Sequence, residues 1–382
     1  MPLQTDDQRF MRLALDLASQ ARGATKPNPM VGAVVVNAGQ VVGQGYHRRA
    51  GQPHAEAEAL GQAGEMARGA TLYVTLEPCC HQDKRTPPCT EAIVRTGIRR
   101  VVYAMVDPNR KVCGKGSQAL QSAGIEVDGP IMEQEAQTIN EVYHKFMNTG
   151  LPFVTLKLAM SLDGRIAAGG GPASAEGLRP AGGESRGLTG REALERVHLM
   201  RLESEAVLVG ANTVIADDPE LTVRLIENPE GRQPTRFVVD STLRAPLDRK
   251  VWDQSKAKTV LATTARADAG KLRELARREV EVWTVDADPL GRVDLAKLVR
   301  KMGLNEYYTL LVEGGGQIAA AMLNAGLVDK VAFFYAPRII GAGGVPAIGP
   351  LGIDQLDKTN RIKNVKTKML GQDIIIEGYL NN

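Results

Sequence analysis

A histidine, a glutamate and two cysteines in the first quarter of the chain have the types and spacing needed to activate a water molecule through a metal. His54 and Glu56 are separated by one residue, and Cys79 and Cys89 follow. One imidazole and two thiolates can hold a catalytic zinc ion, which keeps its fourth position for water. Glu56 would carry protons instead of binding the metal. The four residues therefore predict zinc-dependent hydrolytic chemistry.

The spacing is close to that of a catalytic pattern. Zinc-dependent base deaminases carry H-x-E followed by P-C-x-x-C; Pro78 precedes Cys79 here, although nine residues rather than two separate the cysteines. Histidine occurs five times, and three of the four cysteines lie within eleven positions, so the match is specific. Two alternatives remain open. Cys80 could replace Cys79 as a ligand. Alternatively, the three cysteines with His54 or His81 could form a closed four-ligand structural site, which would leave Glu56 without a role.

Length and composition favour a two-domain enzyme. A chain of 382 residues exceeds the usual limit of one hydrophobic core. A net charge of +3 and 4% aromatic residues give no sign of a nucleic-acid surface. The N-terminus carries Asp6, Asp7 and Arg9 and lacks the apolar core of a signal peptide, and no apolar run could cross a membrane. We expect a cytoplasmic homo-oligomer that acts on a small molecule, with no nucleic-acid or membrane partner.

The elements that must position these residues alternate between strands and helices, which predicts a sheet covered by helices. After a first helix that begins with a capping box at Thr5, helices are predicted at 54–60, 90–95, 118–123 and 133–147, and strands at 31–36, 41–42, 71–76 and 100–105. Both parts of the zinc motif then lie where a loop or strand enters a helix. Helix N-termini favour negative charge, so thiolates should be stabilised there.

The pattern starts again after a predicted linker at 148–152, which divides the chain into domains 1–147 and 148–382. In the second domain, strands are predicted at 153–160, 206–209, 236–240, 259–263, 309–312, 330–336 and 374–379, and helices at 191–202, 270–278, 294–302 and 317–325. This half is again α/β. We interpret the glycine-rich stretch 169–183 as a mobile surface loop.

A glycine turn in the second domain has the form of an anion site. A strand leads into Glu313-Gly314-Gly315-Gly316, and a helix follows, so free backbone N–H groups could face a phosphate. No acidic residue follows about 20 positions later, which argues against an ordinary Rossmann domain. A tight turn between packed elements is the alternative. Arg201 would by default be a solvated charge, but a position facing a cleft would make it a phosphate ligand, as it would Arg224.

Taken in order, the motifs resemble those of the bifunctional riboflavin-biosynthesis deaminase–reductases of the RibD/RibG type over nearly the whole chain. They include Pro27-Asn28-Pro29-Met30-Val31-Gly32, Thr75-Leu-Glu-Pro-Cys79, Asp107-Pro-Asn109, Lys157-Leu-Ala-Met-Ser161-Leu-Asp163-Gly164, Ala216-Asp217-Asp218-Pro219 and Val312-Glu313-Gly-Gly. The resemblance implies a cytidine-deaminase-like α/β/α domain followed by a dihydrofolate-reductase-like α/β domain.

The resemblance also implies two consecutive reactions. The first is hydrolytic deamination of 2,5-diamino-6-ribosylamino-4(3H)-pyrimidinone 5′-phosphate, with Zn²⁺ on His54, Cys79 and Cys89 and proton transfer by Glu56. The second is NADPH-dependent reduction of the ribosyl group to ribityl, giving 5-amino-6-ribitylamino-uracil 5′-phosphate. The implied substrate positions are Ser185, Arg201, Leu221, Arg224 and Glu313. The implied NADP positions are Ala159, Thr213, Asp217, Ser241, Gly315, Gly316, Gln317, Ile318, Ala319, Ala320 and Ala321. Ser241 and Arg266 are the candidates to contact the 2′-phosphate of NADPH, because each comes just after a predicted strand. The alternative is that both are ordinary surface residues.

Two other functions remain open. A C-terminal half that only regulates the deaminase or holds its substrate would explain Gly187, which stands where the family can carry a tryptophan beside the cofactor. A nucleic-acid-editing protein would also use a zinc deaminase site, but the nearly neutral charge argues against it.

Overall fold

The computed structural model describes residues 5–80, 87–110, 112–168 and 187–380. Ser185, His81 and the stretch 169–183 lie outside these ranges. The chain forms two compact units, Met1–Gly150 and Leu151–Asn382. Each is built on its own sheet, so the α/β organisation expected for both halves is confirmed. In the part of the chain that the structure describes, no helix has both the length and the apolar character needed to span a bilayer.

The N-terminal unit contains one five-stranded sheet. Its strands are β1 (Gly32–Asn37), β2 (Gln40–Tyr46), β3 (Thr71–Val74), β4 (Arg100–Tyr103) and β5 (Glu126–Asp128), in the order β2-β1-β3-β4-β5. Its helices are α1 (Asp6–Ser19), α2 (Ala55–Ala63), α3 (Cys89–Thr96), α4 (Lys115–Ser122), α5 (Glu133–Ile139) and α6 (Glu141–Thr149). β1 is antiparallel to both neighbours, whereas β3, β4 and β5 are parallel.

Glycines in β1 and β2 let two helices lie directly on opposite faces of this sheet. A Cβ on Gly32 would collide with the Ala14 carbonyl of α1, and one on Gly43 would collide with the Ala59 carbonyl of α2. Gly45, on the same strand and face as Gly43, pairs with Ala33, the neighbour of Gly32. Because successive strand residues point to opposite faces, α1 and α2 enclose the sheet between them. The result is the expected α/β/α arrangement.

The C-terminal unit contains a nine-stranded sheet and a small two-stranded one. Its strands are β6 (Phe153–Ser161), β7 (Arg165–Ala167), β8 (Ala206–Gly210), β9 (Thr235–Val239), β10 (Thr259–Thr263), β11 (Glu281–Thr284), β12 (Thr309–Val312), β13 (Lys330–Ala336), β14 (Val345–Pro346), β15 (Ile362–Leu370) and β16 (Asp373–Leu380). Its described helices are α7 (Arg191–Glu203), α8 (Ala211–Asp217), α9 (Ala269–Arg277), α10 (Leu295–Leu304) and α11 (Gly316–Asn324).

The order of the large sheet creates a crevice at the ends of two strands. The order is β11-β10-β9-β8-β12-β6-β13-β16-β15, and the strands from β11 to β13 are parallel. After β8 the chain continues to one side, to β9, whereas after β12 it continues to the other side, to β13. Ligands of open α/β sheets bind beyond the carboxyl ends of strands at such a reversal. The crevice between β8 and β12 is therefore the natural binding position.

Some local predictions were wrong or incomplete. The helix predicted at 133–147 is divided into α5 and α6 at Asn140, whose side-chain amide bonds the N–H and carbonyl of Met30 at 2.8 and 2.9 Å. The sequence analysis did not identify α8 or the strands β5, β7, β11, β14 and β15. Most of these strands are short, and β15 is an edge strand with mainly exposed residues, so they lack the buried, alternating pattern of an inner strand.

Candidate active sites

Three helix and loop ends bring the predicted metal ligands together. His54 is the N-cap of α2, Cys89 is the first residue of α3, and Cys79 lies in the segment that follows β3. The backbone N–H of Cys89 donates to the Cys79 sulphur at 3.4 Å, so both thiols lie at the positive end of α3. The sulphurs thus lie at a helix N-terminus as expected, although the pKa of Cys89 is raised and not lowered there.

The distances between the donor atoms fit a zinc ion. His54 Nδ1 lies 3.1 Å from Cys89 Sγ and 3.7 Å from Cys79 Sγ, and all three ligand atoms are within 4.8 Å of one another. Tetrahedral zinc with ordinary bond lengths separates a nitrogen ligand and a sulphur ligand by about 3.5 Å. Cys80 is not part of this group, and its side chain is partly exposed.

The acidic side chains at this site would also be stabilised by a bound cation. Glu56, in the first turn of α2, is only 4% exposed. Burial, and then the neighbouring Cys79, raise the pKa of Glu56. Contact with Cys79, burial and the nearby Glu56 raise the pKa of Cys89 well above its usual value. Three acidic groups in one buried space repel one another when ionised, and a divalent cation removes that repulsion.

A buried glutamate fixes the segment that carries Cys79. The Glu77 carboxylate accepts the N–H groups of Gly114 (2.8 Å) and Ser117 (2.9 Å), at the start of α4. A Cβ on Gly116 would collide with the carbonyl of Pro78, so α4 and this segment are in direct contact. Glu77 therefore satisfies the free N–H groups of the helix and holds Cys79 in place.

A second histidine, His47, packs against His54. The His47 ring bonds the Pro53 carbonyl through Nδ1 at 3.0 Å and the Asn28 amide through Nε2 at 3.1 Å. Because a carbonyl only accepts, Nδ1 carries the proton and Nε2 accepts from Asn28. The His47 ring packs edge-on against His54, with 5.6 Å between the ring centres. The Pro27-Asn28-Pro29 motif thus stabilises the loop that leads into the metal site.

The C-terminal unit contains a buried ion cluster. Glu313, directly after β12, receives two hydrogen bonds from Arg201 of α7, Nε to Oε1 at 2.6 Å and Nη2 to Oε2 at 3.0 Å. Lys157 of β6 lies 3.6 Å from the same carboxylate. Burial alone would raise the pKa of Glu313, but the two cations lower it to about 2. Arg201 is only 9% exposed, so the default expectation of a solvated charge was wrong.

The segment 220–225 is held through its backbone by side chains from outside it. The carbonyls of Glu220 and Thr222 accept from Arg236 Nη1 (3.1 Å) and Arg201 Nη1 (3.0 Å). The N–H and the carbonyl of Val223 bond the Gln233 side chain at 2.7 and 3.0 Å. The N–H groups of Arg224 and Leu225 donate to His198 Nδ1 at 3.0 and 3.5 Å. Leu221 has a φ of 55°, a left-handed conformation that is uncommon for leucine. These contacts leave the Arg224 side chain exposed.

The crevice between β8 and β12 contains several of the predicted cofactor positions. The hydroxyl of Thr213 accepts the N–H of Gly315 at 3.2 Å, and Asn212 donates to Gln317 at 3.1 Å. Gly316 begins α11, where the first-turn N–H groups have no partner within the helix. Thr213, Gly315 and Gln317 are therefore brought together at a helix N-terminus suited to a phosphate.

The remaining predicted cofactor positions lie on several elements. Asp217 is the last residue of α8, and Ser241 follows β9. The Ser241 hydroxyl accepts the N–H of Val293 at 3.0 Å. Ile318, Ala319, Ala320 and Ala321 lie on α11, where Ala319 and Ala320 are buried and Ile318 lies against Gly210 at the end of β8. Ala159 lies in β6.

Three residues at these sites were not assigned by the sequence analysis. The sequence signal of His198 is limited to its place three residues before Arg201, and Gln233 carries no signal because a lone glutamine in a loop is common. Arg244 bonds Asn212 at 2.8 Å and thus lies beside the crevice. Like Ser241 and Arg266, Arg244 comes soon after a predicted strand. The same argument could therefore have identified it from the sequence.

Two family models match the chain. The RibD C-terminal domain matches residues 152–376, and the cytidine and deoxycytidylate deaminase zinc-binding region matches residues 4–105. Among curated proteins, the riboflavin biosynthesis protein RibD of Aquifex aeolicus is 43% identical over 370 residues, covering 97% of each chain. RibD of Escherichia coli is 40% identical over 381 residues, covering 97% of this chain and 98% of the relative.

Solved structures agree with these matches. RibD of Acinetobacter baumannii (form 1) has a TM-score of 0.83 and 38% identity, covering 99% of both chains. A diaminohydroxyphosphoribosylaminopyrimidine deaminase/5-amino-6-(5-phosphoribosylamino)uracil reductase from Thermotoga maritima has a TM-score of 0.79 and 32% identity, covering 98% of this chain and 99% of that one.

Proposed function

The chain belongs to the RibD family of riboflavin biosynthesis proteins, and on that premise we propose a division of its two reactions between its two units. The protein is a bifunctional enzyme, a zinc-dependent pyrimidine deaminase and an NADPH-dependent reductase. Met1–Gly150 deaminates the diaminopyrimidine ribotide, and Leu151–Asn382 reduces the ribosyl group of the product to ribityl. The observation that carries the first assignment is the group of donor atoms at His54, Cys79 and Cys89.

In the deaminase, the buried carboxylate moves the protons. His54, Cys79 and Cys89 would hold the zinc, which when bound would supply a water molecule with a pKa near neutrality. Glu56 would take one proton from the attacking water and deliver it to the pyrimidine ring. It would then take the second proton from the added hydroxyl group and pass it to the departing amine, which leaves as ammonia. Its position in the first turn of α2, two residues after His54, keeps the carboxyl beside the ligands without making it one of them.

In the reductase, the protein supplies positions and charges for a hydride transfer. NADPH would supply the hydride, and the N-terminus of α11 at Gly315 and Gly316 would hold its pyrophosphate. Arg224 presents an exposed guanidinium to the substrate phosphate. Three donors of Arg201 are already bonded to Glu313 and Thr222, so Arg201 contributes mainly by fixing these two groups. Glu313 and Lys157 are then the polar groups available to the ribosyl oxygens.

The structure suggests a different partner for the cofactor's 2′-phosphate than the sequence did. Arg266 donates to the Gly291 carbonyl at 3.2 Å, away from α11. Arg244 bonds Asn212, which bonds Gln317 at the N-terminus of α11. Arg244 therefore lies within two hydrogen bonds of the pyrophosphate position. We assign the 2′-phosphate to Arg244, with Ser241 as its hydroxyl neighbour.

One assay tests the two activities together. The diaminopyrimidine ribotide is supplied with and without NADPH, and ammonia and NADPH are followed in the same sample. We expect ammonia without NADPH, and NADPH oxidation only after deamination. Ammonia release with no NADPH oxidation would favour a C-terminal unit that has lost its activity.

A slight net charge of +3 supports a small-molecule enzyme with no nucleic-acid or membrane partner, and we propose a homo-oligomer in the cytoplasm.

A further inference from the structure

One imidazole among the side chains that hold segment 220–225 has no assigned role. His198 lies on α7, three residues before Arg201, and is only 2% exposed. Its Nδ1 atom is 3.0 Å from the N–H of Arg224 and 3.5 Å from that of Leu225. A backbone N–H can only donate, so Nδ1 must be the unprotonated nitrogen.

We infer that His198 is a positioning residue of the reductase, whose neutral imidazole fixes the backbone at Arg224 so that the Arg224 guanidinium can reach the substrate phosphate. The inference rests on the proposed role of Arg224. No hydrogen bond of His198 to the substrate is needed, because the ring acts through the backbone of its neighbour. The expected effect of losing it is therefore on substrate binding.

The surroundings of His198 keep it neutral. The cations Arg201, Arg224 and Lys157 and the anion Glu313 face it. Burial, followed by Arg201 and Arg224, lowers the pKa of His198 to about 4. Protonation would add a cation to this group and would turn the shared acceptor of two N–H groups into a donor that faces them.

The segment also needs support at this point. Leu221 holds a left-handed conformation, which is unfavourable for a non-glycine residue and persists only where neighbours enforce it. Arg224 itself is exposed, and its side chain makes only long contacts, at 3.4 Å to Thr222 and 3.7 Å to Glu220. The bonds to His198 therefore contribute directly to the position of the Arg224 backbone.

Three substitutions in the full-length enzyme distinguish the effect of losing the hydrogen-bond acceptor from the effect of losing the volume of the ring. The Oδ1 atom of asparagine can occupy the place of Nδ1, whereas glutamine extends its amide to the place of Nε2, and leucine has no acceptor. The assay uses the deaminated ribotide and follows NADPH oxidation. We expect His198→Leu and His198→Gln to raise the substrate KM roughly three- to tenfold, as the loss of one hydrogen bond would, with a smaller change in kcat. His198→Asn should restore a KM close to that of the wild type.

Ammonia release by the same samples is the internal control, because the deaminase site lies in the other unit. If the leucine variant does not fold, the comparison of asparagine with glutamine decides. An asparagine variant as impaired as the glutamine variant, or a glutamine variant with an unchanged KM, would overturn the inference.

A second set of variants separates this inference from the proposed function. Arg224→Gln should raise the KM on its own, and adding His198→Gln to it should raise the KM no further, because both act on the same phosphate contact. If Arg224→Gln leaves the KM unchanged, the proposed substrate contact is wrong. If Arg224→Gln raises the KM while His198→Gln does not, the contact stands and the role of His198 is rejected.

Discussion

Two buried glutamates at the two sites have their pKa values moved in opposite directions by their neighbours. Burial and the neighbouring Cys79 raise the pKa of Glu56, whereas Arg201 and Lys157 outweigh burial and bring the pKa of Glu313 down to about 2. A raised pKa makes a carboxyl easier to protonate, whereas a pKa of about 2 keeps a carboxyl in its anionic form. The environments therefore fit a proton carrier at Glu56 and a fixed charge at Glu313.

Replacing Glu56 by glutamine should stop deamination without emptying the metal site. Glutamine keeps the shape of the side chain but does not titrate, so we expect ammonia release to fall about 10²–10⁴-fold. Zinc content, measured by metal analysis, and reduction of the supplied aminouracil ribotide should remain near the wild-type values. A variant that deaminates at nearly the full rate would remove Glu56 from the mechanism.

The preference for NADPH over NADH should depend on Arg244. Arg244→Gln removes the charge that we assign to the 2′-phosphate, so the ratio of kcat/KM for NADPH to that for NADH should fall by about tenfold or more. Arg266→Gln is the matched control, since its guanidinium is directed to Gly291, and should leave the ratio unchanged. The opposite result for the two variants would return the assignment to Arg266.

His198 should make the reductase unit less stable in mild acid. The unfolded state binds a proton at this residue below a pH of about 6.5, but the folded state does not until the pH falls to about 4. The free energy of unfolding should therefore decrease between these values, by about 2 kcal/mol from pH 7 to pH 5. Urea unfolding at both pH values tests this. His198→Asn should lose that part of the pH dependence, and an unchanged dependence would contradict the prediction.

At the scale of elements, two adjacent glycines at the start of α11 have different roles. A Cβ on Gly315 would lie 3.6 Å from Thr213 Oγ1, an ordinary contact, whereas one on Gly316 would lie 2.7 Å from the Pro346 carbonyl. The backbone at Gly315 has a φ of −72°, which alanine adopts easily. The contacts at Gly315 thus leave room for a larger residue. Glycine is required at position 316 because the backbone there lies against the segment that ends at Gly349, whose N–H donates to the Gly316 carbonyl.

Alanine at these two positions should therefore give different results. Gly315→Ala should keep the Tm and raise the KM for NADPH about tenfold, because the methyl group would lie where the pyrophosphate approaches the backbone. Gly316→Ala should lower the Tm of the reductase unit. Thermal unfolding and NADPH kinetics measure the two effects. An unchanged KM in Gly315→Ala would refute the pyrophosphate position.

The sequence analysis predicted strong elements better than weak ones. The inner strands and the amphipathic helices carry buried apolar residues at regular spacing, so their positions could be read from the pattern. The division at Asn140 could not, because it depends on a contact with Met30, 110 residues earlier in the chain. The candidate metal ligands were predicted from their residue types and spacing. Arg201 and Glu313 were predicted as substrate positions from the family resemblance, whereas their pairing and the nearness of Lys157 required the fold.

At the scale of the whole molecule, each unit has a core of its own. The main apolar core of the first unit runs from Phe10 to Ala136, and those of the second lie within residues 154–375. The helix α6 closes with Gly150 in a left-handed conformation, and the N–H of Gly150 donates to the Phe146 carbonyl at 2.8 Å. A chain cut after Gly150 would therefore keep its last helix complete.

We expect residues 1–150 expressed alone to bind zinc and to release ammonia from the diaminopyrimidine ribotide without NADPH. Independent cores of this size can fold separately. Circular dichroism, zinc content and ammonia release check the three expectations. A fragment that is folded and loaded with zinc but inactive would show that deamination needs the second unit, and our division of the reactions would be wrong.

Because the backbone N–H groups of Arg224 and Leu225 bond His198, the chain path at these two exposed positions depends little on their own side chains. His198 would make the same bonds to almost any residue at these two positions, whereas Leu221 and Val223 are buried. Selection, natural or in the laboratory, can thus vary the exposed Arg224 and its neighbour Leu225 while the chain path persists. Substitutions at these exposed positions can therefore change the substrate preference with little effect on the stability of the fold.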